Sequence, residues 1–277
     1  MSNILRIKKT AEQIKEMYDN DPRTDTFNMI VHGPIKTGKT SLLATCRKPV
    51  FVHSFDPGGT EVLKEYIAKG EVLVDTRFEV EDPYKPTACR QWEDSFNKLR
   101  KQEFFNHVGT FCIDSMTTWA QTVMYEVIRR AALKKKDRVV GGHPHREDWL
   151  PQMAFLENYM RIFTSLPCDC VLTGHSDQPT DEQGVPAGDK GIMVTGKLRE
   201  RIPALFSEIY YLEIKDYKKE TRQLLTQPAF RVQAGSRLGK GGKLEKYEEP
   251  DIKKILQKVG MSTQDKPLFK DLEETNE

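Results

Sequence analysis

Phe27-Asn28-Met29-Ile30-Val31-His32-Gly33-Pro34-Ile35-Lys36-Thr37-Gly38-Lys39-Thr40-Ser41 is the stretch that decides how this chain folds. An apolar run leads directly into G-x-x-x-x-G-K-T, and a helix-forming segment follows. Strand, glycine-bounded loop and helix, in that order, are the context of a phosphate-binding loop. Gly33 and Gly38 permit the tight turns that aim successive backbone N–H groups inward at a triphosphate. The positive end of the helix beginning near Lys39 adds to that field. The cradle therefore runs through Gly33, Pro34, Ile35, Lys36, Thr37, Gly38, Lys39, Thr40 and Ser41. Lys39 is expected to reach the β- and γ-phosphates of ATP, and the Thr40 hydroxyl to take a position on Mg²⁺. A chance match on a surface turn would lack the flanking strand and helix.

Composition bounds the remainder. The 277 residues suffice for one large α/β domain with appendages, or for two small domains. Hydrophobic residues make up 38% and charged residues 30%, and no apolar run approaches the ~20 residues of a membrane span. Met1 to Thr10 has neither the apolar core nor the small-residue cleavage site of a secretory leader. The five cysteines are irregularly spaced. Cys168-Asp169-Cys170 has no second Cys/His pair at zinc-site spacing, so buried thiols in a reducing compartment are expected. The net charge is only +2, so any affinity for nucleic acid must come from local clusters. A cytoplasmic enzyme without membrane attachment is the expectation.

Along the chain, Ala11 to Tyr18 reads as a short amphipathic helix that Asp19-Asn20-Asp21-Pro22 breaks. From Phe27 onward, short apolar runs alternate with helical patterns. Val50 to Phe55, Val72 to Val74, Val108 to Ile113 and Val171 to His175 are strands. Thr60 to Ala68, Thr87 to Phe105, Thr117 to Leu133 and Trp149 to Leu166 are helices. This alternation predicts a mostly parallel sheet covered on both faces. Ser176 to Gly196 is polar and too long for an ordinary connection. Ser207 to Ile214, Gln223 to Thr226 and Phe230 to Gln233 read as strands of an antiparallel meander, with a hairpin turn at Asp216 to Glu220. Ile252 to Val259 is a last helix before a polar end.

Three polar residues stand where strands end. Asp114 closes the buried run Phe111-Cys112-Ile113, about 75 residues after the loop, where a carboxylate holds the Mg²⁺ hydration shell. As an alternative, it caps the following helix. Asp56 ends the strand after the phosphate-loop helix and faces the γ-phosphate across the cleft. There it would orient or deprotonate the attacking water; Asp-Pro-Gly-Gly is equally a turn sequence in its own right. His175, ending the later strand, is placed to sense the γ-phosphate, or is a structural histidine.

Taken in order, Gly33 to Thr40, Val52 to Asp56, Phe111 to Ser115 and Val171 to His175 resemble the RecA-type ATPase core. The resemblance covers about residues 27–240. It is closest to phage-encoded RecA-like ATPases without accessory DNA-binding domains, some of them core-only recombinases or single-strand annealing proteins. That family usually has Glu at the position of Asp56 and Gln at that of His175. The resemblance implies a RecA-like P-loop core over 27–243, with a helical extension at 1–26 and a helix and polar tail at 244–277. It also implies Mg²⁺-dependent ATP hydrolysis acting on single-stranded DNA in recombination, annealing or replication. A filament or ring of identical subunits is implied too, and a single-strand-binding protein is a further expected partner.

Two loops hold DNA in RecA-like proteins, and by position they correspond to Lys134–Asp148 and Ser176–Gly196. From Arg129 to Arg146 there are seven Lys or Arg against one acid, Asp137. Lys134, Lys135, Lys136, Arg138 and Arg146 are thus the candidate DNA contacts, unless the run is a solvated helix end. Arg237, with Lys240, falls where the family reaches the nucleotide of the next subunit. Such a cation would offset charge on the transferring phosphoryl group; otherwise it belongs to an exposed Gly/Lys hairpin tip. Two other classes remain: a P-loop small-molecule kinase, with Arg199 and Arg201 as lid arginines, and an ATPase that answers to a protein partner, such as a helicase loader or packaging factor.

Overall fold

The strands form because their apolar runs are buried on both faces, and the computed structural model, which describes residues 3–272, shows how they pair. In chain order the helices and strands are α1 (Asn3–Asp19), β1 (Asn28–Gly33), α2 (Lys39–Leu42), β2 (Val50–Ser54), α3 (Lys64–Ala68), β3 (Val72–Asp75) and α4 (Ala88–Lys101). Then follow β4 (Thr110–Asp114), α5 (Met116–Ala132), α6 (Trp149–Phe163), β5 (Asp169–Asp177), β6 (Gly191–Ile192) and α7 (Leu198–Arg201). The last are β7 (Glu208–Asp216), β8 (Thr221–Leu225), β9 (Gly235–Ser236), β10 (Tyr247–Glu248) and α8 (Ile252–Val259).

The sheet order is β10-β8-β7-β1-β5-β4-β2-β3. From β3 to β7 every pairing is parallel. β8 and β10 then add antiparallel strands at one edge, and β9 pairs antiparallel with β7. A mostly parallel sheet flanked by helices, with an antiparallel part near its carboxyl terminus, is the architecture the alternation predicted. Among the described residues, no helix is long and apolar enough to cross a membrane.

Period-two alternation divides the strand residues between two cores. Ile30, Phe51, Phe111, Ile113 and Leu172 face one side, with Trp92, Phe96, Trp119, Met160 and Phe163 from α4, α5 and α6. Met29, Val31, Val52, Cys112 and Val171 face the other, with Leu42, Ile252, Ile255 and Leu256 from α2 and α8. All five cysteines are buried free thiols. Beyond residue 243 the chain still contributes to the sheet and the core, through β10 and the buried face of α8.

Three local expectations are corrected. α1 begins at Asn3, well before Ala11, because Ile4, Ile7, Ala11, Ile14 and Tyr18 continue one helical stripe towards the amino end. Phe230 to Gln233 is not a strand. Arg231 has φ 56° and breaks the extended run, so the short strand pairing with β7 forms at Gly235–Ser236. The stretch after His175 is partly pinned, since β5 continues to Asp177 and β6 folds back on it through buried Ile192.

Two buried histidines predict an acid-sensitive fold. His53 lies among Phe51, Phe78 and Phe111, with ring centroids 4.8, 5.1 and 4.8 Å away, and among the described residues neither ring nitrogen has a hydrogen-bond partner. Burial lowers its pKa from 6.5 to about 3. Burial also lowers that of His32 to about 4, against the opposing hydrogen bond to the Gln233 carbonyl. Both groups bind more protons when the chain unfolds. Their contribution to stability is therefore complete above pH 6.5 and is lost as pH falls through 6.5 towards the folded values. Chemical denaturation between pH 6 and 5 is expected to show a loss on the order of 1 kcal/mol for each histidine, approaching about 1.4 kcal/mol per pH unit as the unfolded chain becomes fully protonated. His53→Phe should remove one share of that slope. An unchanged slope in this variant would mean that His53 is not an acid sensor.

Candidate active site

Adjacent parallel strands deliver the site residues to one edge of the sheet. Gly33 at the end of β1 lies level with His175 on β5, and Asp114 at the end of β4 lies level with Ser54 on β2. Asp56 follows two residues after Ser54. Carboxyl ends of strands in open α/β sheets are where ligands bind, so four separated segments of sequence converge there.

The phosphate loop is shaped by its glycines. A Cβ on Gly33 would lie 2.3 Å from the Leu212 carbonyl oxygen of β7, so only glycine permits that approach. Gly38 has φ 96°, in the left-handed region, and opens α2. The Lys39 amine donates to the carbonyls of Gly33 (3.1 Å) and Pro34 (2.7 Å), and the Thr37 hydroxyl donates to Pro34 as well (2.9 Å). Burial lowers the pKa of Lys39, opposed by the charges of Asp114 and Asp56.

Asp114 is almost wholly buried. The Thr40 hydroxyl donates to its Oδ2 at 2.7 Å, and the Thr173 hydroxyl donates to its Oδ1. Burial raises its pKa, and these two donors oppose the rise. Ser115, not Asp114, occupies the cap position of α5, and the carboxylate of Asp114 is engaged by β5 and α2. A hydroxyl beside a carboxylate is a hard oxygen donor set that suits Mg²⁺.

Asp56 is the second carboxylate of the cleft. Its Oδ1 accepts from the hydroxyls of Ser115 (3.0 Å) and Thr118, and its Oδ2 lies 3.9 Å from His175 Nε2. The backbone N–H of His175 donates to the Thr117 hydroxyl (3.1 Å), which in turn donates to the Met193 carbonyl (3.3 Å). β5, the first turn of α5 and the segment beyond β6 are thereby tied together. Sequence reasoning missed Thr118 and Thr173. The signal for Thr118 was its position one turn after Ser115; for Thr173 it was a hydroxyl interrupting a buried apolar strand.

The basic run does not stand as a free cluster. The buried Arg138 guanidinium pairs with buried Asp148, and also with Glu147 at 3.3 Å. Lys135 pairs with Glu147 at 2.6 Å, and Arg129 and Arg130 both bind Glu126 at 2.7 Å. The neutralising acids fall just outside the window in which the charges were counted. Lys134, Lys136 and Arg146 remain exposed, with no ion pair among the described residues. On the other side of α5, a cleft of about 810 Å³ lies between Thr117, Tyr125, Gly141, Trp149 and Met193.

Arg237 is not brought to the phosphate loop of its own chain. Its backbone N–H donates to Glu208 (3.0 Å) and its guanidinium to the Ala204 carbonyl (3.1 Å). Glu208 is level with Met29, at the amino end of β1, whereas the phosphate loop leaves the carboxyl end. Lys240 is exposed on the loop that follows.

The family described as AAA domain matches residues 26–238. No curated protein matches the chain. Among solved structures, an ATPase from the type III secretion system of pathogenic bacteria is similar, with 12% identity and a TM-score of 0.44. That match covers 76% of this chain and 58% of the ATPase, so the chain spans under two thirds of its length. RadB recombinase is also similar, with 13% identity and a TM-score of 0.39, covering 76% of this chain and 84% of the recombinase.

Proposed function

From a chain that belongs to the AAA domain family, we propose a Mg²⁺-dependent ATPase that acts on single-stranded DNA. The observation that carries the ATPase reading is the meeting of Thr40 and Asp114 at 2.7 Å, beside the phosphate loop and Asp56. Thr40 and Asp114 would hold the metal, which when bound supplies positive charge to the phosphoryl oxygens.

The rest of the chemistry belongs to this chain. Backbone N–H groups of the loop and the Lys39 amine bind and orient the phosphates. Ser115 and Thr118 hold Oδ1 of Asp56, which leaves Oδ2 to accept the proton of an attacking water. His175 stands beside Oδ2 and is joined through Thr117 to the segment after β6. That linkage gives the segment a route by which to follow the state of the γ-phosphate. In a homo-oligomer Arg237, remote from its own phosphate loop, is the cation we assign to the neighbouring subunit's nucleotide.

Exposed Lys134, Lys136 and Arg146, in the segment that follows α5, support single-stranded DNA as the polymer. Phage recombination, annealing or replication is the setting we propose. Binding should weaken with salt at a log–log slope of about −0.7 per phosphate neutralised. Replacing Lys134, Lys136 and Arg146 together by Ala should flatten that slope by roughly two units, with ATP hydrolysis in the absence of DNA retained. Fluorescence anisotropy across a salt series, run beside phosphate release with and without oligonucleotide, makes the test. Binding and slope unaltered in the triple variant would remove the DNA reading. A second reading, an ATPase stimulated by a protein partner, draws support from the ion pairs that neutralise Lys135 and Arg138.

A further inference from the structure

We propose that Arg222 is a phosphate-binding residue of the nucleotide site, supplied by the same chain from the β7–β8 hairpin. The proposal rests on the nucleotide reading above and adds a cation to it that no motif contains.

The hairpin is docked on the phosphate loop at two places. At the loop's start, the Leu212 carbonyl of β7 packs against Gly33 so closely that a Cβ there would lie 2.3 Å away. At the loop's end, the Arg222 side chain lies along Gly38. A Cβ built on Gly38 would be 3.0 Å from Arg222 Nε and 3.1 Å from its Cδ. The register that places Arg222 there runs Leu212 opposite Leu224 and Ile214 opposite Arg222, with an irregularity before Asp216 and Thr221 pair.

The guanidinium is available for a ligand. Arg222 is exposed, and among the described residues no carboxylate lies within ion-pair distance of it. Among the described residues its one side-chain hydrogen bond is a long contact to the Glu220 carbonyl, at 3.5 Å. Most of its donors are therefore unengaged, on a planar fork whose geometry matches phosphate oxygens. Lys39 occupies the Gly33–Pro34 end of the cradle and Arg222 its Gly38 end. The two cations bracket the loop, as a polyphosphate carrying several negative charges requires. An arginine that only covered the loop would present the same packing, so the test separates ligand contact from cover.

Calorimetric titration of the full chain with Mg-ATP and, separately, with inorganic triphosphate makes that separation. Arg222→Ala should bind both about 10- to 100-fold more weakly, the scale of losing one charge-assisted hydrogen bond. Its ligand-free thermal unfolding should match the native chain. Arg222→Lys, which keeps the charge without the fork, should fall between. Should the alanine variant fold poorly, Arg222→Gln retains the stem and serves in its place. Native affinity for inorganic triphosphate in the alanine or glutamine variant overturns the proposal, since the side chain is then a cover. Loss of ATP affinity with inorganic triphosphate unaffected overturns it as well, because the contact is then to the base. Lys39→Ala is the control: if it loses triphosphate binding and Arg222→Ala does not, only this proposal fails. If the native chain binds no triphosphate, the nucleotide reading fails with it.

Discussion

Lys39→Ala is expected to abolish ATP turnover, lowering the rate by roughly 10³-fold or more, the scale of removing a cation from a transferring phosphoryl group. Nucleotide affinity should fall with it. The fold should survive, because the amine's partners are the two loop carbonyls of Gly33 and Pro34 and not core groups. Phosphate release under saturating Mg-ATP, beside a denaturation curve for the same sample, checks both halves. A variant that turns over ATP at the native rate would remove the central reading of this site.

Asp56→Asn isolates the water-handling step. The amide keeps the size of the side chain and still accepts from Ser115 and Thr118, but it cannot take a proton. Turnover should fall by roughly 10²-fold or more, the usual scale for losing a positioned base, while Mg-ATP stays bound. Single-turnover chemistry measured alongside equilibrium binding distinguishes these effects. Turnover equal to the native chain would reduce Asp56 to a turn residue and shift the search to His175.

The phosphate loop was legible because its meaning is local: two glycines, Lys39 and Thr40 within eight positions, between a strand and a helix. Asp56, Asp114 and His175 were legible for a related reason. A polar residue ending a buried strand is conspicuous, and parallel pairing carries all such ends to one edge. Residues whose role depends on distant partners were not legible. Arg138 counted as a free cation until the chain folded Asp148 against it. Arg237 reads from sequence as a cation for the next subunit's nucleotide, and only the register of β7 on β1 shows that it lies away from the phosphate loop of its own chain. Arg222 reaches the loop only through a hairpin register with an irregularity that no local pattern signals.

The place of β7 beside β1 bears on how the protein is made. β1 and its phosphate loop leave the ribosome early, but one side of β1 pairs with a strand from the last third of the chain. Until that strand arrives, β1 exposes an unpaired backbone edge, which is a template for wrong pairing with other chains. The Gly33 turn also lacks the Leu212 carbonyl against which it packs. Nucleotide binding competence is thus a late event in synthesis, and chains halted before β7 should neither hold ATP nor stay dispersed without a chaperone. Once β7 is seated, bound nucleotide stabilises early-made and late-made segments together, because it favours only the state in which both are in place.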